Sequence, residues 1–499
     1  MAKNNVKRNR DYQDDEYDEV HYEPGSEIHH TDSGNARRLV NEHGTDIRYV
    51  MQWKSWYVWN NQYWERDRTG DVMRRAQETV KHIYMEAATT PDRGRRRQLV
   101  WWAMQSESAA RLGAMVKLAQ TEQKVVAVPE QFDAKPWLYN CRNYTIDLRS
   151  GEARKHRRSD MLTSAVNFDY DPLTECPTWL GFLYTITNGN QNLIDFLQRA
   201  IGYSLTGDVS EQVMFIAWGS GNNGKSTLLN VIRDLTGAYA RTVSPDTLAA
   251  SNKNGGSGPS SDIARLKGAR FISAIETSHG QHLNESLIKQ LTSSEPMTAR
   301  FLNQEHFEFA PTWKLWLATN HKPNIRDTDN GIWRRIKLIP FTATIMASEE
   351  EKRAFPAKLR AELPGILHWA IQGCLEWQKH GLGIPAEVES ITNTYRNEMD
   401  VLSAFLSECC VEASSAHVTF QALYEAYDAW CGENHIQQLG SRTFNARLRE
   451  RGHIEGRGTG GYSVWRGIGI NADRVTSLEG PDNSKVKQLH LLKTDRKLA

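Results

Sequence analysis

Apolar residues follow two rhythms along this chain, and the change from one to the other maps its organisation. Between Val213 and Phe341, short unbroken apolar runs alternate with stretches whose apolar positions return every three or four residues. Val213 to Trp218 is one such run. Leu228, Ile232 and Leu235 then line one face of a helix that Gly237 ends. Phe271 to Ile275, "KLWLATN" and the apolar part of "GIWRRIKLIPF" predict three further strands. Strands alternating with helices in this order predict a parallel α/β sheet.

The flanks read differently. "YVMQWKSWYVWNNQYW", Tyr49 to Trp64, reads as strand, Asn60-Asn61 turn and strand, because Asn tolerates the positive φ of a tight hairpin. Its tryptophans could stack on bases, but Trp mostly packs, and an aromatic hairpin core is the favoured reading. A helical stretch follows with Arg93, Arg95, Arg96 and Arg97 near its middle, and "LYNCRNYTIDLRSGEARKHRRSD" reads as short strands around a Ser150-Gly151 turn. Both arginine groups suit solvated faces better than DNA contacts. Pro172 and Pro177 precede a helical stretch that ends at "AIGYSL", and "ELPGILHWAIQGCLEWQKHG" places Leu363, Ile366, Leu367, Ala370, Ile371, Cys374 and Leu375 on one helical face. In "SRTFNARLRERG", Ser441 is a plausible N-cap, Phe444 and Leu448 are buried, and Arg442, Arg447, Arg449 and Arg451 are exposed. Two strands around a glycine-rich turn come next, "HIEGRGTGGYSVWRGI". Helix followed by β-ribbon is a winged-helix pattern, suited to duplex DNA, with a protein-contact module as the other reading. The resulting domains are a polar tail (1–35), an α+β domain (36–185), the α/β domain (186–345), a helical connector (346–400), the winged-helix domain (401–470) and a basic tail (471–499).

Composition narrows the picture. The chain has 499 residues, which implies two to four domains, and its 61 basic residues nearly balance 60 acidic ones. Any nucleic-acid binding must therefore come from local patches. The six cysteines form no C-x-x-C pair, which points away from a zinc ribbon or a disulfide framework and towards a reducing cytoplasm. No apolar stretch suggests a membrane span or a signal peptide, so a soluble protein without a membrane partner is expected. The acidic run "DYQDDEYDE", Asp11 to Glu19, lacks flanking apolar strands and reads as a disordered tail rather than a metal-binding primase cluster.

Candidate chemistry concentrates in "GSGNNGKS", Gly219 to Ser226, a full match to G-x-x-x-x-G-K-[ST]. Glycines let backbone N–H groups turn inward to cradle phosphates, and the helix N-terminus adds its dipole. Gly219, Gly221, Asn222, Asn223, Gly224, Lys225, Ser226 and Thr227 are the candidate ATP-binding residues. Lys225 is expected on the β- and γ-phosphates and Ser226 on Mg²⁺. Glu276 stands at the carboxyl edge of the strand "RFISAIET", where a carboxylate can hold the metal shell and polarise water. Asn320, ending the next strand, can orient the attacking water, and Arg334 or Arg335 can reach the nucleotide of a neighbouring subunit. Singly these are a surface acid, a strand-end cap and a solvated basic pair. In order within one α/β segment they form a catalytic constellation.

These motifs resemble the superfamily 3 helicases, and more closely the phage and plasmid primase–helicase proteins related to poxvirus NTPase/primases. "GNNGKST", "ISAIET", "LNESLIKQLTSSEPMTARF" and "LWLATNHKP" resemble motifs A, B, B′ and C, and "GIWRRIKLIPF" resembles the arginine-finger segment. The resemblance spans roughly residues 45 to 470. It implies an AAA+-like P-loop motor with a parallel sheet, preceded by an α+β domain and followed by a winged helix. It also implies ATP and Mg²⁺ as cofactors and a homohexameric ring. Lys289, Arg300 and a hairpin tip with Gln304 and His306 would then grip single-stranded DNA, and Arg442, Arg447 and Arg449 would meet duplex DNA. The tip reads Asn303-Gln304-Glu305 where relatives often carry a basic residue, and motif B has one acid, Glu276, for both metal and water. "TSSEP" replaces the usual Gly-Gly-Asp turn.

The function expected is therefore an ATP-hydrolysing DNA helicase of a phage or plasmid replication system, acting in the host cytoplasm. The alternatives are an ATP-dependent initiator that assembles without processive unwinding, or the helicase half of a primase–helicase. A GTPase would show N-K-x-D where this chain has "NHKP", and nothing marks a small-substrate pocket. No primase centre is legible upstream of the motor, so a separate primase is the expected partner.

Overall fold

The computed structural model describes residues 29–250, 261–275, 282–301, 305–325, 330–346, 348–434, 436, 438–458 and 461–471. The chain divides into two units, one of residues up to Ala134 with His156–Ser164, the other of Lys135–Lys155 with Ala165 onward.

In the first unit a four-stranded sheet runs in the order Trp64–Arg66, Ser55–Trp59, Ile47–Val50, Val126–Ala127. The first three strands are antiparallel and the last is parallel to its neighbour. The Asn60 side chain accepts from the N–H groups of Gln62 (3.0 Å) and Tyr63 (2.9 Å), and Asn61 takes φ 72°, which makes the expected turn. A second turn at Met51–Lys54 interrupts what the sequence read as one strand. Trp59 and Trp64 are buried with ring centroids 5.8 Å apart, so the tryptophans of this hairpin form core. Helices Asp32–His43, Asp71–Thr89, Arg93–Ser106 and Ala109–Ala119 bury Leu39, Ile83, Leu99 and Met115 together. The predicted continuous helix breaks at Thr90-Pro91, since proline disfavours helical backbone in the residue before it. Its four arginines therefore open a new helix rather than sitting mid-helix.

The second unit is mixed α/β, built on a five-stranded parallel sheet. Its order is Ile336–Pro340, Met214–Trp218, Lys314–Thr319, Phe271–Ile275, Ala240–Thr242. The strands are near-continuous apolar runs because helices cover both faces. A small antiparallel sheet, Leu138–Asn140, Thr145–Asp147 and Glu152–Arg154, belongs to this unit although the sequence grouped it upstream. The reason is burial: Tyr139 donates its hydroxyl to Leu235 O (2.6 Å), and Trp179 and Phe182 share the same core. The C-terminal elements Val401–Cys409, Cys410–Thr419, Phe420–Glu433, Ser441–Glu450, Ile454–Arg457 and Ser463–Ile470 enclose Phe405, Tyr427, Phe444, Leu448 and Trp465. Here Ser441 is the first helical residue and Gly440 the cap, one position from the expected N-cap. Among the described residues no helix is long and apolar enough to cross a membrane. All six cysteines are free, and burial pushes the Cys374 thiol up to about 12.

Helices Gln191–Leu205 and Leu363–His380 meet through glycines. A Cβ on Gly202 would lie 2.2 Å from Cys374 N, and one on Gly373 would lie 2.1 Å from Gln198 O. These are backbone atoms that cannot step aside. Gly202→Ala should therefore cost about 1–3 kcal/mol of stability from overpacking. Gly432→Ala, in a helix with open space around it, should be neutral or slightly stabilising. Urea unfolding of the two variants beside the parent checks both signs.

Candidate functional site

Register aligns the carboxyl ends of the central strands. Trp218 lies opposite Thr319 on one side and Pro340 on the other, and Ala318 lies opposite Ile275. The connection from Met214–Trp218 leads across the sheet in one direction, while that from Lys314–Thr319 leads back past it to the edge strand. A crevice between two such strands is where ligands bind in α/β sheets.

The loop 219–224 opens into this crevice, and its shape is held from outside. Phe341 N–H donates to Trp218 O (2.7 Å) and Ile345 N–H to Asn222 O (3.0 Å). The side chains of Asn222 and Asn223 donate to Ile345 O (2.7 Å) and Phe341 O (2.8 Å). Both asparagines, expected as nucleotide contacts, thus have their amide nitrogens on the buttressing segment and act by positioning the loop. A Cβ on Gly219 would come within 2.1 Å of Phe341 O. Gly224 takes φ 87°, and a Cβ there would meet Ile186 Cγ2 at 2.6 Å. At Gly221 a Cβ would touch nothing within 4 Å, so the loop is open on that side.

The helix Lys225–Thr236 starts directly from Gly224, which leaves its first N–H groups facing the loop. Lys225 is 6 % exposed, and its Nζ donates to Gly219 O (2.7 Å), Ser220 O (3.0 Å) and Asn223 Oδ1 (2.8 Å). Burial, with neutral acceptors in place of a carboxylate, holds its pKa below the ordinary lysine range. Ser226 is exposed at the first turn and Thr227 half-buried. Asn320 is exposed immediately after its strand, beside the loop in register. Glu276, the predicted metal and water carboxylate, lies outside the described residues, directly after the strand ending at Ile275. Among the described residues no group of three or more His, Cys, Asp or Glu is placed to hold a metal. Ser226 is the predicted metal ligand that the structure does describe.

The sequence did not single out Lys322. Its Nζ lies 4.7 Å from the Trp218 ring and bonds Glu398 at 2.7 Å, which brings a second cation near the loop. The signal was present as the third residue of "NHKP".

The arginine pair separates. Arg334 is exposed, within 3.2 Å of Gln212 Oε1. Arg335, expected to be exposed, is 8 % exposed and donates to Thr292 Oγ1 (3.1 Å), Gly331 O (2.6 Å) and Gln212 Oε1 (3.3 Å). It turns inward because it immediately precedes Ile336, the first residue of a strand buried in the sheet. Strands Met297–Ala299 and Phe307–Phe309 pair as the expected hairpin, with Arg300 and His306 exposed near its tip and Lys289 half-buried on the preceding helix. Gln304 lies outside the described residues. On the C-terminal helix Arg442 is exposed and Arg449 pairs with Glu455 (2.5 Å). Arg451, exposed as expected, pairs with Asp400, whereas Arg447, expected to be exposed, is buried. Position 447 falls beside Phe444 and Leu448 on the helix, at the margin of the apolar stripe.

Removing Arg335 would strand its buried acceptors. Arg335→Ala should cost about 2–4 kcal/mol of stability, while Arg334→Ala should stay within about 0.5 kcal/mol. Urea unfolding midpoints at equal slope measure the difference.

Three family models match in chain order. A model described as D5 N terminal like covers residues 36–188, a family of unknown function covers 217–335, and a model described as Poxvirus D5 protein-like covers 397–465. The chain is 26 % identical over 325 residues to L207/L206 of Acanthamoeba polyphaga mimivirus, named as a candidate helicase. That match covers 61 % of this chain and 34 % of the relative. It is 24 % identical over 334 residues to C962R of African swine fever virus, named as a candidate primase, again covering 61 % and 34 %. A match to 022R of Frog virus 3, also named as a candidate helicase, reaches 28 % over 260 residues, covering 48 % of this chain and 26 % of that one. The chain thus spans about a third or less of the length of the curated relatives it matches. Among solved structures it is similar to the apo NrS-1 C terminal region (305-718) with TM-score 0.46 and 9 % identity, covering 87 % of this chain and 98 % of that one. D5 models at both flanks, with viral helicase- and primase-named relatives, place this chain in the D5-like primase–helicase family.

Proposed function

We propose that this chain is an ATP-dependent DNA helicase motor of superfamily 3 type, working in a phage or plasmid replication system. The observation that carries the reading is the open, buttressed glycine loop with Lys225 at the carboxyl end of the parallel sheet, next to Asn320. In this reading the loop is a P-loop and the sheet an AAA+-like motor. Loop and helix N–H groups hold the phosphates of ATP. Lys225 exchanges its bonds to Gly219 O and Ser220 O for β- and γ-phosphate oxygens, whose negative charge favours its charged form. Ser226, exposed beside the phosphate position, fits Mg²⁺, which supplies charge neutralisation when bound, and Glu276 completes the shell. Asn320 orients the attacking water.

Arg334 is the arginine offered to a neighbouring subunit's nucleotide in a homohexamer, and Arg335 anchors the strand behind it. The hairpin 297–309, with Lys289, Arg300, Gln304 and His306, follows single-stranded DNA. The C-terminal elements follow a winged-helix order and present Arg442, with Arg449 beside it, to duplex DNA. Primer synthesis falls to a separate primase.

Phosphate release from ATP, measured with and without single-stranded DNA, tests the reading. Mg²⁺-dependent hydrolysis that DNA stimulates severalfold is expected, with loss in Lys225→Ala and on chelation. Arg334→Ala should fold and bind nucleotide but lose hydrolysis by about 10³-fold or more. Slow hydrolysis indifferent to DNA would overturn the motor in favour of an ATP-dependent assembly switch.

A further inference from the structure

The helix Arg93–Ser106 in the N-terminal unit carries chemistry that neither its packing nor the motor uses. Leu99, Trp102, Ala103 and Ser106 face the core. The opposite arc presents Arg93, Arg97, Val100, Trp101 and Met104 to solvent, with Trp101 56 % and Met104 55 % exposed. Helical spacing puts positions 93, 97, 100, 101 and 104 on one side of the helix. Arg96 is held by Thr90 O (3.0 and 2.8 Å), whereas the guanidinium groups of Arg93 and Arg97 reach no acceptor among the described residues.

Stability does not explain this face. Cations in the first turns oppose the helix macrodipole, and no acid stands in the first turn to offset them. Asp92, the acid just before the helix, already caps it by accepting from Arg95 N–H (2.6 Å). An indole more than half in water leaves apolar surface hydrated. Outward arginines followed, about 12 Å along the same face, by an outward indole make a combination that one ligand class uses in full. Phosphates pair with the guanidinium forks, and an unpaired base stacks on the indole. A duplex cannot use the indole, because its bases are already stacked inside.

We propose that the outward face of the helix Arg93–Ser106 is a second binding site for single-stranded nucleic acid, in the N-terminal unit and outside the motor's hairpin. It rests on the proposed function only for the choice of nucleic acid as ligand, and it needs no ATP. The test is fluorescence anisotropy of a fluorescein-labelled oligo-dT with the full chain, without nucleotide, across a series of KCl concentrations. Trp101→Ala should weaken binding by about 5- to 100-fold, and Trp101→Phe should recover most of it. Arg93→Ala with Arg97→Ala should flatten the slope of log affinity against log salt by about 1.4, since each phosphate contact to a single strand contributes about 0.7. Binding of a blunt duplex should not change in Trp101→Ala. Thermal melts should match the parent, because these side chains are exposed, and ATP hydrolysis without DNA should be unaffected. Unchanged oligo-dT affinity and slope in both variants overturns the proposal. So does a change in sedimentation without a change in oligo-dT binding, which would assign the face to a protein partner. Lys225→Ala separates the two readings, because it removes hydrolysis and leaves this binding intact.

Discussion

The segment Phe341–Ile345 holds the loop on which the candidate site depends. Four hydrogen bonds and the absence of a Cβ at Gly219 bring the two stretches together. The segment is placed by the edge strand Ile336–Pro340, which pairs in parallel with the loop's own strand. Pro340 can end that strand because it lies on the sheet edge, where one side of the backbone has no ladder to complete. The same strand begins directly after Arg334 and Arg335. One strand therefore fixes both the glycine loop and the arginine at its other end.

Buried cations divide the labour across this sheet. Lys314 and Arg270 lie at the amino ends of their strands. Lys314 donates to Thr206 O (2.5 Å) and Asp208 O (3.1 Å), and Arg270 to Leu205 O (2.8 Å) and Leu138 O (2.6 Å). Burial pulls the Lys314 pKa well below the ordinary lysine range. Letting go would leave buried carbonyls unpaired, so these bonds are structural. Lys225, at the carboxyl end, bonds the same kind of neutral acceptors but sits between the exposed residues Ser220 and Ser226. Its partners can be exchanged for those of an anion arriving from solvent. Chemically similar lysines thus differ in setting: Lys314 is a rivet inside the protein, and Lys225 is the one that the proposed function moves onto a phosphate.

Much of the α/β core was legible in the chain. Apolar runs at 213–218, 271–275 and 314–319 could only be strands covered on both faces, and the glycine pattern between Trp218 and Lys225 has few other uses. The turn at Asn60-Asn61 followed from local propensity as well, whereas the hairpin of strands Met297–Ala299 and Phe307–Phe309 was implied by the family resemblance. Less was legible where a residue sits at the margin of two environments. Arg335 and Arg447 each border an apolar stripe, and periodicity alone cannot say whether a guanidinium at that margin turns in or out. Thr90-Pro91 was passed over because the helical periodicity resumes beyond it, although the proline forces a new N-terminus and moves four arginines to a helix end.

The sequence by itself determined the order of strands and helices in the α/β core, the glycine-rich loop between strand and helix and the candidate polar residues at strand ends, because these depend on neighbours within a few positions. Tertiary structure decided which strand lies beside which, that Asn222 and Asn223 serve the loop's buttress, that Arg334 rather than Arg335 faces outward, and that Lys322 comes over Trp218. Those outcomes rest on contacts between residues far apart in the chain, most of them about a hundred or more positions, where pairing and burial, not local propensity, set the geometry.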